Sequence, residues 1–208
     1  MKLLELFCGT CSVSNALCTK YHHCEVVSLD ILPKFNATIT VDILDWDYTI
    51  YQPKHFDIIW ASPPCTSYSK AHRKGVRNLD LADAIVKQTL TIIEYLQPNY
   101  WYIENPSDGG LLQHRDFMQS LTQYKHTCSY CKYGFDYRKT TNIWTNKQNL
   151  ELKMCSKKTS YCDTKMHYGK HIETAQRTRS SNANVGYGVK CVESAYRIPY
   201  NLILDLMP

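Results

Sequence analysis

FDIIWASPPCTSYS, residues 56–69, begins as an apolar run and ends as a loop that carries a cysteine. The run Phe56–Ala61 reads as the end of a buried strand. Pro63 and Pro64 then stiffen the backbone, and Cys65 stands just past the strand's carboxyl end, ahead of hydroxyl side chains. In an open parallel sheet, ligands bind beyond the carboxyl ends of strands, so the place is a suitable one for chemistry.

Working outward, short apolar runs alternate with helix-like segments over the first ~125 residues, the pattern of βαβ units around a mostly parallel sheet. Strands are expected at Lys2–Phe7, Cys24–Leu29, Thr38–Val41, Phe56–Ala61 and Tyr100–Ile103. The clearest helix is Leu79–Leu96. There Ala82, Ile85, Val86, Thr89, Leu90, Ile93 and Leu96 recur at three- and four-residue spacing, and Pro98 lies just beyond the end. From about Gln123 the texture changes: Cys, Lys, Tyr and His crowd residues 126–171, and Ser180–Gly188 reads as a loop. Apolar periodicity returns over Ala195–Leu206, with Pro199 suited to a helix start. The expected organisation is a catalytic domain over 1–145, a small recognition region over 146–194, and a terminal segment over 195–208 that docks back on the first.

The bulk properties narrow the class less. At 208 residues and a net charge of +5, the chain has room for one α/β domain with a small appendage and tolerates a polyanionic partner. Glu5 interrupts the first apolar run, which argues against a signal peptide, and no window approaches the ~18 uncharged apolar residues of a membrane span. The expectation is a soluble, unsecreted protein of the cytoplasm or nucleus. In such a reducing compartment the 10 cysteines point to catalysis, metal binding or burial rather than disulfides.

The residues that follow the expected strands are chemically marked. Phe7, Cys8, Gly9, Thr10 and Cys11 form a tight turn after the first strand, too poor in glycine for a phosphate cradle. Asp30 follows the second and suits a ribose diol, since a carboxylate accepts from both hydroxyls; a turn or cap role is the ordinary alternative. Asp42 follows the third, with Asp45 and Asp47 nearby. Cys65 follows the fourth, and Glu104 follows the fifth. A thiol beside a carboxylic acid offers a nucleophile and a proton donor; a buried inert thiol is the alternative.

In this order and spacing the segments Leu4–Thr10, Ser62–Cys65, Ile103–Asn105 and Tyr137–Lys139 resemble the motifs of cytosine-5 DNA methyltransferases. The chain as a whole resembles their short phage- or virus-type members. The resemblance implies a class I Rossmann-like α/β fold that binds S-adenosylmethionine. It also implies an activity in which Cys65 attacks carbon 6 of a flipped-out cytosine, Glu104 holds the ring, and Arg138 clamps the base or its phosphate. Phe7, Gly9, Asp30, Asp42 and Pro63 would line the cofactor pocket. The chain departs from the family pattern at Thr66, where a glutamine is usual, at Pro106 in place of an aliphatic residue, and at Cys11 in a position often held by glycine. Only about 50 residues remain where typical members carry a long recognition region.

That short region holds many metal-ligand residues. Cys128 and Cys131 stand at C-x-x-C spacing, and Cys155, Cys162, His167 and His171 follow, enough for a tetrahedral zinc site. The preferred set is Cys131, Cys155, Cys162 and His171, partly because similar short methyltransferases carry Cys and His at such places. Lys153, Lys157, Lys158, Lys165, Lys170, Arg177 and Arg179 form either a solvated face or a phosphate-contacting surface, with Tyr161 and Tyr168 as stacking candidates. A zinc deaminase is excluded because the cysteine two residues beyond the Pro-Cys is missing. Methylation of RNA cytosine and a non-catalytic cofactor- and nucleic-acid-binding module are the alternatives, and a monomer is expected.

Overall fold

The computed structural model describes residues 1–69, 76–107, 110–155, 162, 166–167, 170–171, 173–174, 187–188 and 196–208. Lys157, Tyr161, Lys158, Lys165, Tyr168, Arg177, Arg179 and most of Ser180–Gly188 lie outside the described residues.

Seven strands form one sheet: β1 (Lys2–Leu6), β2 (Glu25–Asp30), β3 (Ile39–Thr40), β4 (Ile58–Ala61), β5 (Tyr100–Pro106), β6 (Lys125–Ser129) and β7 (Thr140–Thr145). Their order is β3-β2-β1-β4-β5-β7-β6, and only β7 runs against the others. Among the described residues two further ladders, β8 (Met166–His167) with β9 (Lys170–His171) and β10 (Glu173–Thr174) with β11 (Tyr187–Gly188), lie outside this sheet.

Strand alternation sorts the apolar side chains into two cores. Leu3, Ile58, Trp60, Tyr102 and Ile143 point to the face covered by α1 (Ser12–Lys20) and α3 (Tyr200–Leu206). Leu4, Leu6, Ile59, Ala61, Ile103 and Trp144 point to the face covered by α2 (Leu79–Leu96). Burial on both faces explains why β4 reads as a continuous apolar run rather than an alternating one. Helix α2 is bounded by its own chemistry: Asn78 accepts the Leu81 amide at its start, and Gln97 takes a left-handed conformation at its end. Helix α3 follows Pro199 and buries Leu202, Ile203 and Leu206, and the Tyr102 hydroxyl donates to the Leu206 carbonyl at 2.6 Å. No helix among the described residues is long and apolar enough to cross a membrane.

The expected strands are corrected in four places. The sheet holds two strands beyond the five expected, β6 and β7. β7 is buried along its whole length although four of its six residues are Thr or Asn, so apolar periodicity does not reveal it. Its polar groups bond within the fold: Thr127 donates to Asn142 at 2.9 Å, and Asn142 donates to Gln113 at 3.1 Å. The fifth strand also runs three residues further than expected, because β7 pairs with it; Glu104 and Asn105 lie inside β5, opposite Ile143 and Asn142. β3 shrinks to two residues, and β1 ends at Leu6 rather than Phe7.

Candidate active site

The turn after β1 is unusual backbone. Phe7, Gly9 and Cys11 have φ of 58, 48 and 53°, left-handed values that cost a bulky side chain of order 1 kcal/mol or more. Phe7 and Cys11 bear that cost and Gly9 does not, so two strained residues stand at the sheet edge where a ligand is expected. The Gly9 amide donates to Asp30 Oδ2 at 3.0 Å, and the Leu32 amide donates to Asp30 Oδ1 at 2.9 Å. Asp30 is therefore buried as a clasp between the turns after β1 and β2, and each oxygen keeps a second acceptor position. Asp42 serves its own turn, accepting the Leu44 amide at 3.0 Å.

Glu5 explains why this turn is not a phosphate cradle. It lies in β1 on the α1 face and accepts the Val13 and Ser14 amides and the Ser14 hydroxyl, filling the start of α1, where Cys11 supplies no cap. The amides that a phosphate would need are taken, which suits a nucleoside cofactor without phosphates. Burial lifts the Glu5 carboxyl from its ordinary 4.5 to about 7, against the pull of the Ser14 and Val13 hydrogen bonds. The folded chain thus holds a proton between those values that the unfolded chain has lost. Stability from this group is full below pH 4.5 and falls as pH rises through 7, by roughly 3 kcal/mol in total. Urea unfolding across pH 5–8 is expected to show this loss in the wild type and a flatter profile in Glu5→Gln.

The reacting candidates meet at the edge of β4 and β5. The Asn105 amide group donates to the Pro63 carbonyl at 3.0 Å and so ties the Pro63–Cys65 loop to β5. Glu104 is buried and accepts the Tyr130 hydroxyl at 2.9 Å, while Lys139 Nζ lies 3.5 Å from the same carboxylate oxygen and 4.7 Å from the Tyr130 ring centre. Burial pushes the Cys65 thiol above its ordinary value, Lys139 pulls it down, and Glu104 pushes it up. Among the described residues the cation that acts on Cys65 is Lys139, a residue whose role sequence reasoning missed. Arg138, the expected clamp, is half-buried, and its charge reaches Cys155, whose thiol it pulls down. Buried polar atoms without a partner gather at the same edge, among them Asn105 Oδ1, Arg138 Nε and Thr140 Oγ1, a pattern that invites a polar ligand.

Behind Cys65 the loop is anchored. Tyr68 is fully buried and donates to Asp83 Oδ1 on α2 at 2.9 Å, and Arg115 grips both oxygens of Asp83 through Nε and Nη2. The Leu111 amide donates to the Tyr68 carbonyl at 2.9 Å. On the opposite side of the β1 turn, a cleft of about 380 Å³ lined by Thr10, Ser12, Arg197 and Ile198 separates α1 from the segment leading into α3.

A second cluster lies beside β6. The ligand atoms of Cys131, Cys155, Cys162 and His171 all fall within 4.8 Å of one another, and the three cysteines are buried. Cys128, despite its C-x-x-C spacing, joins the main core instead. Cys131 leaves the main core for the cluster because it sits in the 3₁₀ turn Tyr130–Tyr133 that follows β6, rather than on the strand itself.

Comparison with known proteins agrees with this geometry. The family model for C-5 cytosine-specific DNA methylase matches residues 1–138. A protein of Frog virus 3 (isolate Goorha), named "Probable DNA (cytosine-5)-methyltransferase", is 33% identical over 175 residues, which is 77% of each chain. The S. pombe Dnmt2 methyltransferase superposes with a TM-score of 0.52 at 15% identity, over 73% of this chain and 52% of that one, and so shares the fold. The present chain thus spans about half the length of that solved structure. The seven-stranded α/β sheet is that of a class I S-adenosylmethionine-dependent methyltransferase, and the chain belongs to the C-5 cytosine-specific DNA methylase family.

Proposed function

We propose that the chain is a DNA (cytosine-5)-methyltransferase in which Cys65 is the nucleophile, Glu104 the proton donor, and Lys139 the cation that holds both. The observation that carries this reading is the meeting of a thiol, a buried carboxyl group and a buried ammonium at the carboxyl edge of β4 and β5. Cytosine carbon 5 is a poor nucleophile. Addition of the Cys65 thiolate to carbon 6, with Glu104 giving a proton to ring nitrogen 3, turns the ring into an enamine whose carbon 5 attacks an electrophile. S-adenosylmethionine supplies the electrophilic methyl group. Loss of the carbon 5 proton to a base then expels Cys65 as thiolate, ring nitrogen 3 returns its proton to Glu104, and the aromatic ring is restored. Reaching carbon 6 with a group fixed in a partly buried loop requires the base to leave the duplex stack.

Phe7, Gly9 and Asp30 form the cofactor side, and Asp30 retains acceptor positions suited to the two ribose hydroxyls. Pro63 shapes the loop between cofactor and base, and Asp42 extends the same edge. Arg138, one residue from Lys139, keeps the clamp role toward the flipped base or its phosphate. Zinc is proposed as a structural ion at Cys131, Cys155, Cys162 and His171, with no part in the transfer itself. Residues 146–194, which supply Cys155, Cys162 and His171, make up the recognition region.

The test is transfer of labelled methyl from S-adenosylmethionine to duplex DNA of random sequence and, in parallel, to RNA. Label at carbon 5 of cytosine in DNA, found by digestion and mass spectrometry, is the expected outcome. Label in RNA alone would move the activity to the RNA alternative.

A further inference from the structure

Tyr130 and Cys131 are consecutive residues of one 3₁₀ turn, yet they serve different sites. The Tyr130 hydroxyl donates to Glu104 at 2.9 Å, while Cys131 Sγ belongs to the Cys/His cluster. The turn has little freedom between these two anchors. The Tyr130 amide donates to the Lys139 carbonyl at 3.0 Å, and the Phe135 amide donates to the Tyr130 carbonyl at 3.3 Å. Gly134 closes the turn at φ 99°. The other side of the cluster is docked onto the same turn: the Ser129 amide donates to the Lys153 carbonyl at 3.0 Å, and the Lys153 amide donates to the Tyr133 hydroxyl at 2.9 Å, two residues before Cys155.

The cluster's own geometry asks for a metal. Three buried sulfurs cannot all pair as disulfides with one another, and none of the three is disulfide-bonded. A zinc ion with sulfur at about 2.3 Å and nitrogen at about 2.0 Å would set its ligand atoms roughly 3.5–3.8 Å apart. Cys155 Sγ and His171 Nε2 already lie 3.8 Å apart, and no pair exceeds 4.8 Å. Three thiolates and one neutral imidazole on a dication carry a net charge of about −1, and Arg138 sits where it acts on Cys155 with the complementary charge.

We propose that the zinc centre sets the position of Glu104: it pins the turn through Cys131 and thereby holds the Tyr130 hydroxyl on the carboxyl group that protonates the base. Tyr130 is a positioning residue, and the inference rests on zinc occupying the cluster and on Glu104 acting in the transfer. Without the ion the Cys131 end of the turn loses its anchor, and Tyr130 no longer fixes which oxygen of Glu104 faces the substrate.

The test uses the full chain and begins with metal content. One zinc per chain by elemental mass spectrometry is expected, together with tetrahedral ligand-field bands after cobalt substitution and a thiolate charge-transfer band that weakens by about a third in Cys155→Ser. A chain purified without metal that also gives no tetrahedral cobalt spectrum would overturn the zinc reading itself. With zinc present, Tyr130→Phe is expected to keep the metal and the affinity for S-adenosylmethionine. It is expected to lose about tenfold in kcat with KM for DNA unchanged, a split that a merely loosened fold would not give. Zinc removal by chelation is expected to slow the wild type by a similar factor, to slow Tyr130→Phe no further, and to be reversed by added zinc. An unchanged kcat in metal-loaded Tyr130→Phe overturns the coupling whether or not the stripped chain stays folded, and leaves both the zinc and the methyl-transfer readings standing.

Discussion

Cys65→Ala is expected to form no covalent adduct with duplex DNA that carries 5-fluorocytosine, under conditions where the wild type is trapped on it in the presence of S-adenosylmethionine. Fluorine replaces the proton that must leave carbon 5, so elimination stops after methyl transfer and the Cys65 sulfur stays bonded to carbon 6. The adduct then survives a denaturing gel, with a mass equal to protein, DNA and one methyl group. Turnover on ordinary DNA is expected to fall by at least about 10⁴-fold, the scale seen when a covalent nucleophile is removed. Cys65→Ser keeps a similar size and should be nearly as inactive, because a hydroxyl is both a weaker attacking group and a poorer leaving group than a thiolate. The Cys8 thiol of the β1 turn is no substitute. Cys8 is buried, and burial together with its neighbour Cys11 lifts its pKa far above neutrality. An adduct that persists in Cys65→Ala would place the nucleophile elsewhere. Absence of any adduct in a wild type shown to bind S-adenosylmethionine would remove duplex DNA as the substrate.

Cys65 and Glu104 were legible because each stands at the carboxyl edge of an apolar run, where a thiol or a carboxylate has no packing reason to be. The five strands leading to them were legible for the same reason. What escaped the sequence was polarity satisfied at long range. β7 is buried but written in Thr and Asn, and its partners on β6 and at Gln113 are 15 and 29 residues away. The Tyr68, Asp83 and Arg115 anchor spans 15 and 32 residues, so no local pattern marks it. Glu5 read only as an interruption of an apolar run. The available signal was a lone acid at an inward position of a strand followed by a helix start, which asks where its charge is balanced. Arg138 drew attention as the residue type suited to a phosphate, whereas the choice between Arg138 and Lys139 depends on which way each side chain leaves the backbone. The structure brings together the preferred Cys/His set, Cys131, Cys155, Cys162 and His171: the C-x-x-C spacing offers Cys128 with Cys131, and the turn after β6 separates them.

Lys139→Met carries the second largest expected effect and tests that choice directly. Lys139 is about 14% exposed at its side chain and lies 3.5 Å from a Glu104 oxygen, in surroundings where breaking a buried pair leaves the remaining charge without compensation. Its ammonium is also the group that lowers the Cys65 pKa against burial and Glu104. Removing it raises the thiol further, so less thiolate is present at neutral pH. In the wild type the rate of adduct formation is expected to climb with pH as Cys65 ionises, and in Lys139→Met the same climb is expected at higher pH. The loss at pH 7 is expected to be about 10²-fold or more, which combines the missing thiolate with the disturbed Glu104, and raising the pH should recover part of it. Lys139→Arg keeps the charge and should retain most of the activity and most of the pH profile. Arg138→Met gives the contrast: its guanidinium acts on Cys155 rather than Cys65, so affinity for DNA should fall while the pH profile of adduct formation stays in place. A profile that shifts in Arg138→Met and not in Lys139→Met would return the activating charge to Arg138.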